Sequence, residues 1–198
     1  MARRLRGHVS GFTIVELLFV VAIAGTLAAI AVPFSLRAVD DYQTQSAARY
    51  LAGRIATTRF DAIRRSTTHG LRFLPFAADY TIVTVADGNR NGLRTAEITS
   101  GVDRVLTEPE PLSWHFAGVT FGIFDGIPDA DGLTVHGTDG VRVGSSRLLA
   151  VNADGTATSG TLYLRGRGRS QYAVRVLGIT GRVRILKFEH ARNRWIDV

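Results

Sequence analysis

Residues 12–34 read FTIVELLFVVAIAGTLAAIAVPF, 23 residues that carry a single charge, Glu16. A helix of about 20 apolar residues spans a bilayer. The preceding residues 1–11, MARRLRGHVSG, hold Arg3, Arg4 and Arg6 and no acid. A basic flank favours a cytoplasmic N-terminus, so the rest of the chain is expected to face outward, into the periplasm or beyond. An ionisable group inside a membrane costs roughly 2.5 kcal/mol or more and is a functional hypothesis by default. Glu16 is therefore the residue that any reading of this segment must explain.

Three readings compete. A cleaved secretory signal has a basic start, an apolar core and a small-residue site, for which Ala29-Ile30-Ala31 would serve. A plain signal anchor accounts for the length and leaves Glu16 unexplained. The third reading is a resemblance. Gly11-Phe12-Thr13-Ile14-Val15-Glu16-Leu17-Leu18 resembles the processing motif of type IV pilins and type II secretion pseudopilins. The resemblance implies that a prepilin peptidase cuts after Gly11 and methylates the new amine of Phe12, while the apolar stretch stays on the protein. It makes Glu16 the fifth residue of the mature chain and puts Pro33 at the family's usual kink position. On this reading the ammonium of Phe12 on a neighbouring subunit pairs with Glu16 and offsets the cost of a lone charge. The bland alternative is that Glu16 snorkels to the headgroups.

Beyond the membrane, residues 35–67 read SLRAVDDYQTQSAARYLAGRIATTRFDAIRRST, without proline and interrupted only by Gly53. Apolar groups recur at Val39, Ala47, Leu51, Ile55 and Ala62, with Tyr50 and Ile63 alongside, which predicts one stripe on a helix. With the spanning part this makes a helix of roughly 50 residues, and Gly70 is its expected terminator. Strand-like runs follow at 71–76, 80–86, 114–124, 133–136, 147–152, 161–164, 172–177 and 182–188, punctuated by Gly and Asp-Gly. The expected fold class is α+β and pilin-like: a long N-terminal transmembrane helix packed on an antiparallel β-sheet domain. The expected divisions are a leader at 1–11, a spanning half-helix at 12–34, an amphipathic half-helix at 35–68 and a periplasmic β-rich domain at 70–198. Asn152–Thr156, Thr161–Leu164 and Gly181–Arg184 are similar to the GspH/FimT branch of the family, which implies a minor subunit.

Composition excludes much chemistry. The chain has no cysteine, so no disulfide, thiol nucleophile or Cys-held zinc. No nucleophile elbow, Walker loop or H-E-x-x-H is present, and the five His at 8, 69, 115, 136 and 190 are scattered. Gly166-Arg167-Gly168-Arg169-Ser170 begins like a dinucleotide loop and reads as a turn. Asp125, Asp129 and Asp131 read as solvated loop carboxylates. No catalytic residue, cofactor site or enzymatic activity is expected. Asp87, Asn89, Asn91 and Gly92 match the start of a calcium loop, but the twelfth position is Ile98 rather than Glu; a turn of Asn, Asp and Gly explains the same residues.

The net charge of +7 is uneven. Residues 1–11 carry +3, residues 12–159 carry −3 and residues 160–198 carry +7. If Tyr172–Leu177 and Arg182–Lys187 form a hairpin, Val176 opposes Val183, Val174 opposes Ile185 and Tyr172 joins them on the core face. On the other face Arg175 then opposes Arg184, a like-charge pair that an anion would relieve. Gly181-Arg182-Val183-Arg184 resembles the G-R-x-R element with which FimT-like minor pilins hold DNA. Arg175, Arg182 and Arg184 are thus the DNA-binding candidates, and an edge hairpin kept soluble by charge is the plain alternative. The expected partners are other pilins or pseudopilins, the prepilin peptidase and the inner membrane, with DNA in the alternative reading. Mass spectrometry of the chain made in its host is expected to find a start at methylated Phe12 that is lost in Gly11→Val. A start at Val32 would identify an ordinary secretory signal.

Overall fold

The computed structural model describes residues 11–132 and 137–198. The expected leader, with Arg3, Arg4 and Arg6, and the expected strand at 133–136 fall on residues outside this description. Two compact units meet in the chain at Val39 and Asp40.

Helix α1 spans Ile14–Arg65, 52 residues, with Pro33 inside it. In the first unit its side chains are all exposed, and the helix is long and apolar enough to cross a membrane by length and composition. In the second unit α1 buries Thr44, Ala47, Ala48, Leu51, Ile55, Thr58 and Ala62. The expected stripe is therefore corrected at its edges, since Val39 is 56% exposed and Ile63 47%. Two threonines take part because each hydroxyl is satisfied within the helix. Thr44 Oγ1 donates to the Asp40 carbonyl at 2.8 Å and Thr58 Oγ1 to the Arg54 carbonyl at 2.9 Å.

The helix ends in a Schellman motif built on Ser66. Ser66 has φ 49°, its N–H donates to the Ile63 carbonyl, and the Thr67 N–H donates to the Ala62 carbonyl. Gly70 is not the terminator. It lies within the first strand, where a Cβ would stand 2.8 Å from the Leu149 carbonyl oxygen and 2.7 Å from Leu93 Cδ1. Close approach of a neighbouring strand, not helix capping, accounts for that glycine.

The strands are β1 (His69–Phe76), β2 (Asp79–Ala86), β3 (Arg104–Val105), β4 (Glu110–Pro111), β5 (Thr120–Phe121), β6 (Val141–Val143), β7 (Leu148–Val151), β8 (Gly160–Arg165), β9 (Gln171–Leu177), β10 (Arg182–Glu189) and β11 (Arg194–Asp197). A short helix, α2, covers Thr95–Ser100. The strands form two antiparallel sheets. One has the order β3-β2-β1-β7, with β4 also on β2; the other has β11-β10-β9-β8-β5, with β6 also on β8. The expected strand at 114–124 is mostly absent. Trp114 ends a 3-10 turn, Gly118 takes φ 82°, and only Thr120–Phe121 pairs.

Both sheets meet the α1 stripe. Leu71, Phe73, Ile82, Leu149 and Val151 come from the first sheet, and Leu162, Leu164, Tyr172, Val174 and Val176 from the second. Each sheet is covered on its other face as well. Ile98 of α2 and Leu93 pack on Val83 and Val85, while Ile123, Ile127 and Trp195 pack on Tyr163, Ala173, Leu186 and Phe188. Leu51 is fully buried where the sheets converge. Leu51→Ala is expected to cost roughly 2–5 kcal/mol in urea unfolding, against about 0.5 kcal/mol or less for Val39→Ala.

Candidate functional site

At the N-terminus, Thr13 and Glu16 cap α1 reciprocally. The Glu16 N–H donates to Thr13 Oγ1 at 3.2 Å, and the Thr13 N–H donates to Glu16 Oε2 at 3.4 Å. This is a capping box, and it places a carboxylate against the positive end of the helix dipole. Glu16 therefore has a hydrogen-bonding partner within its own chain. The Thr-x-x-Glu spacing was the readable signal. Phe12 is 81% exposed, and nothing lies within 4 Å of where a Cβ on Gly11 would stand. Folding makes no demand for glycine at position 11.

In the second unit two adjacent carboxylates tie α1 to the basic C-terminal strands. Asp40 accepts the N–H groups of Arg167 at 2.7 Å and Gly168 at 3.1 Å. A Cβ on Gly166 would collide with Asp40, and one on Gly168 would lie 2.9 Å from its Oδ2. The β8–β9 turn does cradle an anion, but that anion is the protein's own side chain. Asp41 accepts from Lys187 Nζ at 2.8 Å and from the Tyr172 hydroxyl at 3.1 Å. Burial first, and the charge of Asp41 second, push the Tyr172 phenol up to about 12.

A second network lies on the opposite flank of α1. Glu110 accepts from the Tyr50 hydroxyl at 2.5 Å, from Arg54 Nη1 at 2.6 Å and from His115 Nε2 at 2.5 Å. Arg54 also donates to Thr84 Oγ1 at 3.1 Å. Burial opposes the Glu110 charge, but these three donors outweigh it and hold the carboxyl below the usual glutamate range. The residues around Arg54 in sequence give no hint of this role, because its partner lies 56 positions away.

The β9–β10 hairpin has the expected register, with Val176 opposite Val183 and Arg175 opposite Arg184. Its charges are arranged differently. Arg175 pairs with Asp131, and Arg184 pairs with Asp197. The like-charge repulsion is relieved inside the chain, so the hairpin alone creates no demand for an external anion. Among the described residues, Arg182 is the member of the trio that makes no salt bridge, although its charge also acts on Asp197. Asp131 is thus no idle solvated group. Nor is Asp129, which accepts from Arg142 at 3.1 Å and from the Tyr163 hydroxyl.

In the calcium-like loop, Asp87 accepts the N–H groups of Asn89, Arg90 and Gly92 at 3.0, 2.7 and 2.7 Å. Asn89 and Asn91 donate their side-chain amides to Glu97 at 3.1 and 3.0 Å. These are the bonds of an Asx-type turn. Among the described residues no group of three or more His, Asp or Glu is gathered as a metal site.

Residues 6–32 match the family described as the prokaryotic N-terminal methylation motif. That segment holds Gly11, Phe12 and Glu16, the residues on which the resemblance to type IV pilins and pseudopilins rests. The chain is also similar to a solved structure, the minor pseudopilin EpsH from the type 2 secretion system of Vibrio cholerae. That likeness has 16% identity and a TM-score of 0.41, and covers 73% of this chain and 97% of the other. An overlap that loose carries no functional weight. No curated protein matches the sequence.

Glu110 yields a pH prediction. Its folded pKa is depressed, so its contribution to stability is present above the ordinary glutamate pKa and is lost as pH falls through the lower, folded value. Acid unfolding followed by tryptophan fluorescence is expected to show this loss, and Glu110→Gln to flatten the dependence in that window.

Proposed function

We propose that this chain is a minor, GspH/FimT-like subunit of a type II secretion pseudopilus or type IV pilus. A prepilin peptidase cuts it after Gly11 and methylates Phe12. Its apolar half-helix anchors it in the inner membrane, with the globular unit in the periplasm, and later joins a filament. The observation that carries this reading is the matched methylation segment, with Glu16 at the fifth position of the cleaved chain and Gly11 at a position where folding needs no glycine.

The first unit needs outside cover on physical grounds. Ile14, Val15, Leu18, Phe19, Ile30 and Phe34 are each more than 60% exposed. Burying each such side chain is worth roughly 1.5–3 kcal/mol. Lipid supplies that cover before assembly, and neighbouring half-helices supply it after. Once these helices pack together the dielectric falls, and a capped but uncompensated carboxylate becomes costly. The methylated amine of Phe12 keeps its positive charge and is the group that offsets Glu16 on a neighbour. A subunit out of register forfeits that pairing.

The segments that resemble the GspH/FimT branch meet in space. Gly181 has φ 61°, and a Cβ there would collide with the Gly155 carbonyl oxygen, which accepts from Arg59 Nε at 3.2 Å. The glycine of the Gly-Arg-x-Arg element is therefore explained by packing. The DNA-uptake reading has no comparable support, because two of its three arginines are neutralised by carboxylates within the chain.

Glu16→Gln separates capping from charge. Glutamine can still reach back to the Thr13 N–H, but it cannot neutralise an ammonium. In the host, this variant is expected to be cleaved and membrane-bound yet missing from the sheared filament fraction. Unchanged incorporation would sink the proposal.

A further inference from the structure

Where α1 ends, the loop after β2 and strand β3 enclose a pocket of about 280 Å³. Arg65, His69, Asp87, Gly88, Arg90 and Arg104 contribute to its lining. The three guanidiniums come from three separate elements: the last residue of α1, the Asp87–Gly92 loop and β3. Their carboxylate contacts are few. Among the described residues Arg90 and Arg104 have no ion-pair partner, and Arg65 reaches Asp61 only at 3.9 Å. The Asp87 carboxylate keeps its charge, but its oxygens face three backbone N–H groups and it forms no ion pair with any of the three arginines. His69 is buried, and its Nδ1 donates to the Thr67 carbonyl at 3.0 Å. That bond leaves Nε2 as the ring nitrogen with no partner among the described residues.

Sequence pattern suggested that this loop holds a cation. Geometry points the other way: the loop consumes its own carboxylate to fold and carries an arginine to a concavity already lined by two more. Cations gathered around a concave surface focus potential there and raise the local concentration of anions. Guanidinium forks match phosphate oxygens in pairs, and three of them suit a dianion better than a carboxylate, which one fork satisfies. We propose that this pocket binds an oxyanion of the phosphate class, either free phosphate or a phosphate ester. It uses none of the basic hairpin residues and does not depend on which filament houses the chain.

The test uses the full-length, isotope-labelled chain in a neutral maltoside detergent. The His69 ring and arginine Nε signals are followed as inorganic phosphate is added, against chloride at matched ionic strength. Phosphate is expected to give a saturable shift that chloride does not. Arg104→Gln should weaken it about tenfold, the loss of one charge-assisted contact, while Arg182→Gln on the hairpin leaves it unchanged. Glycerol phosphate is the second probe. A response as strong as that to inorganic phosphate assigns an ester-borne group; a weaker one assigns the free ion, and either upholds the site. Equal responses to phosphate and chloride overturn it. So does a shift that survives Arg65→Gln, Arg90→Gln and Arg104→Gln together in a chain whose circular dichroism is unchanged.

Discussion

Two sheets close on one strip of helix, and that shared strip organises the globular unit. Ala47 and Ala48 have no exposed surface, and neither does Leu51. Small side chains at the first two positions let both β-layers come close to the helix axis, and Leu51 and Ile55 fill the space beyond. The sheets need this, since an isolated sheet of short strands cannot bury enough apolar surface to be stable. Each sheet then receives a second cover, α2 with Leu93 on one and the Ile123–Ile127 loop with Trp195 on the other. The central strands β8 and β9 consequently bury runs of consecutive residues, whereas β10 still alternates.

Polar groups fix how the strip is used. The Asp40–Asp41 pair joins the start of this helical stretch to the turn and strands of the second sheet, and Arg54 with Tyr50 joins its middle to Glu110 beside the first. No buried side-chain nitrogen or oxygen among the described residues lacks a partner. Hydrophobic burial has no direction, so it holds a helix on a sheet without setting its rotation. Hydrogen bonds to specific backbone groups do set it. The glycines at 166 and 168 belong to this anchoring, because side chains there would push Asp40 away.

Charge in this chain is largely settled within it. The basic C-terminal stretch looks like a surface waiting for an anion when counted along the sequence. In space Asp131, Asp197 and Asp41 answer Arg175, Arg184 and Lys187. Near the end of α1, Arg90 and Arg104 have no such answer among the described residues, although no charge run marks them. Net charge of a segment is a poor guide to its potential once distant acids fold onto it.

Local patterns along the chain were enough to determine the apolar half-helix, its continuation toward residue 65, the register of the β9–β10 hairpin and the Asx-type turn at Asp87. Each rests on interactions between near neighbours in sequence, whether the 3.6-residue period, the two-residue alternation or a side chain bonding its own backbone. Tertiary structure alone decided the rest. It drew Thr44 and Thr58 into the core, gave Gly70 its reason, broke the expected strand after Trp114 and chose the carboxylate for each arginine. Those outcomes depend on contacts between residues far apart in the chain, and no pattern of neighbours encodes which distant group will arrive.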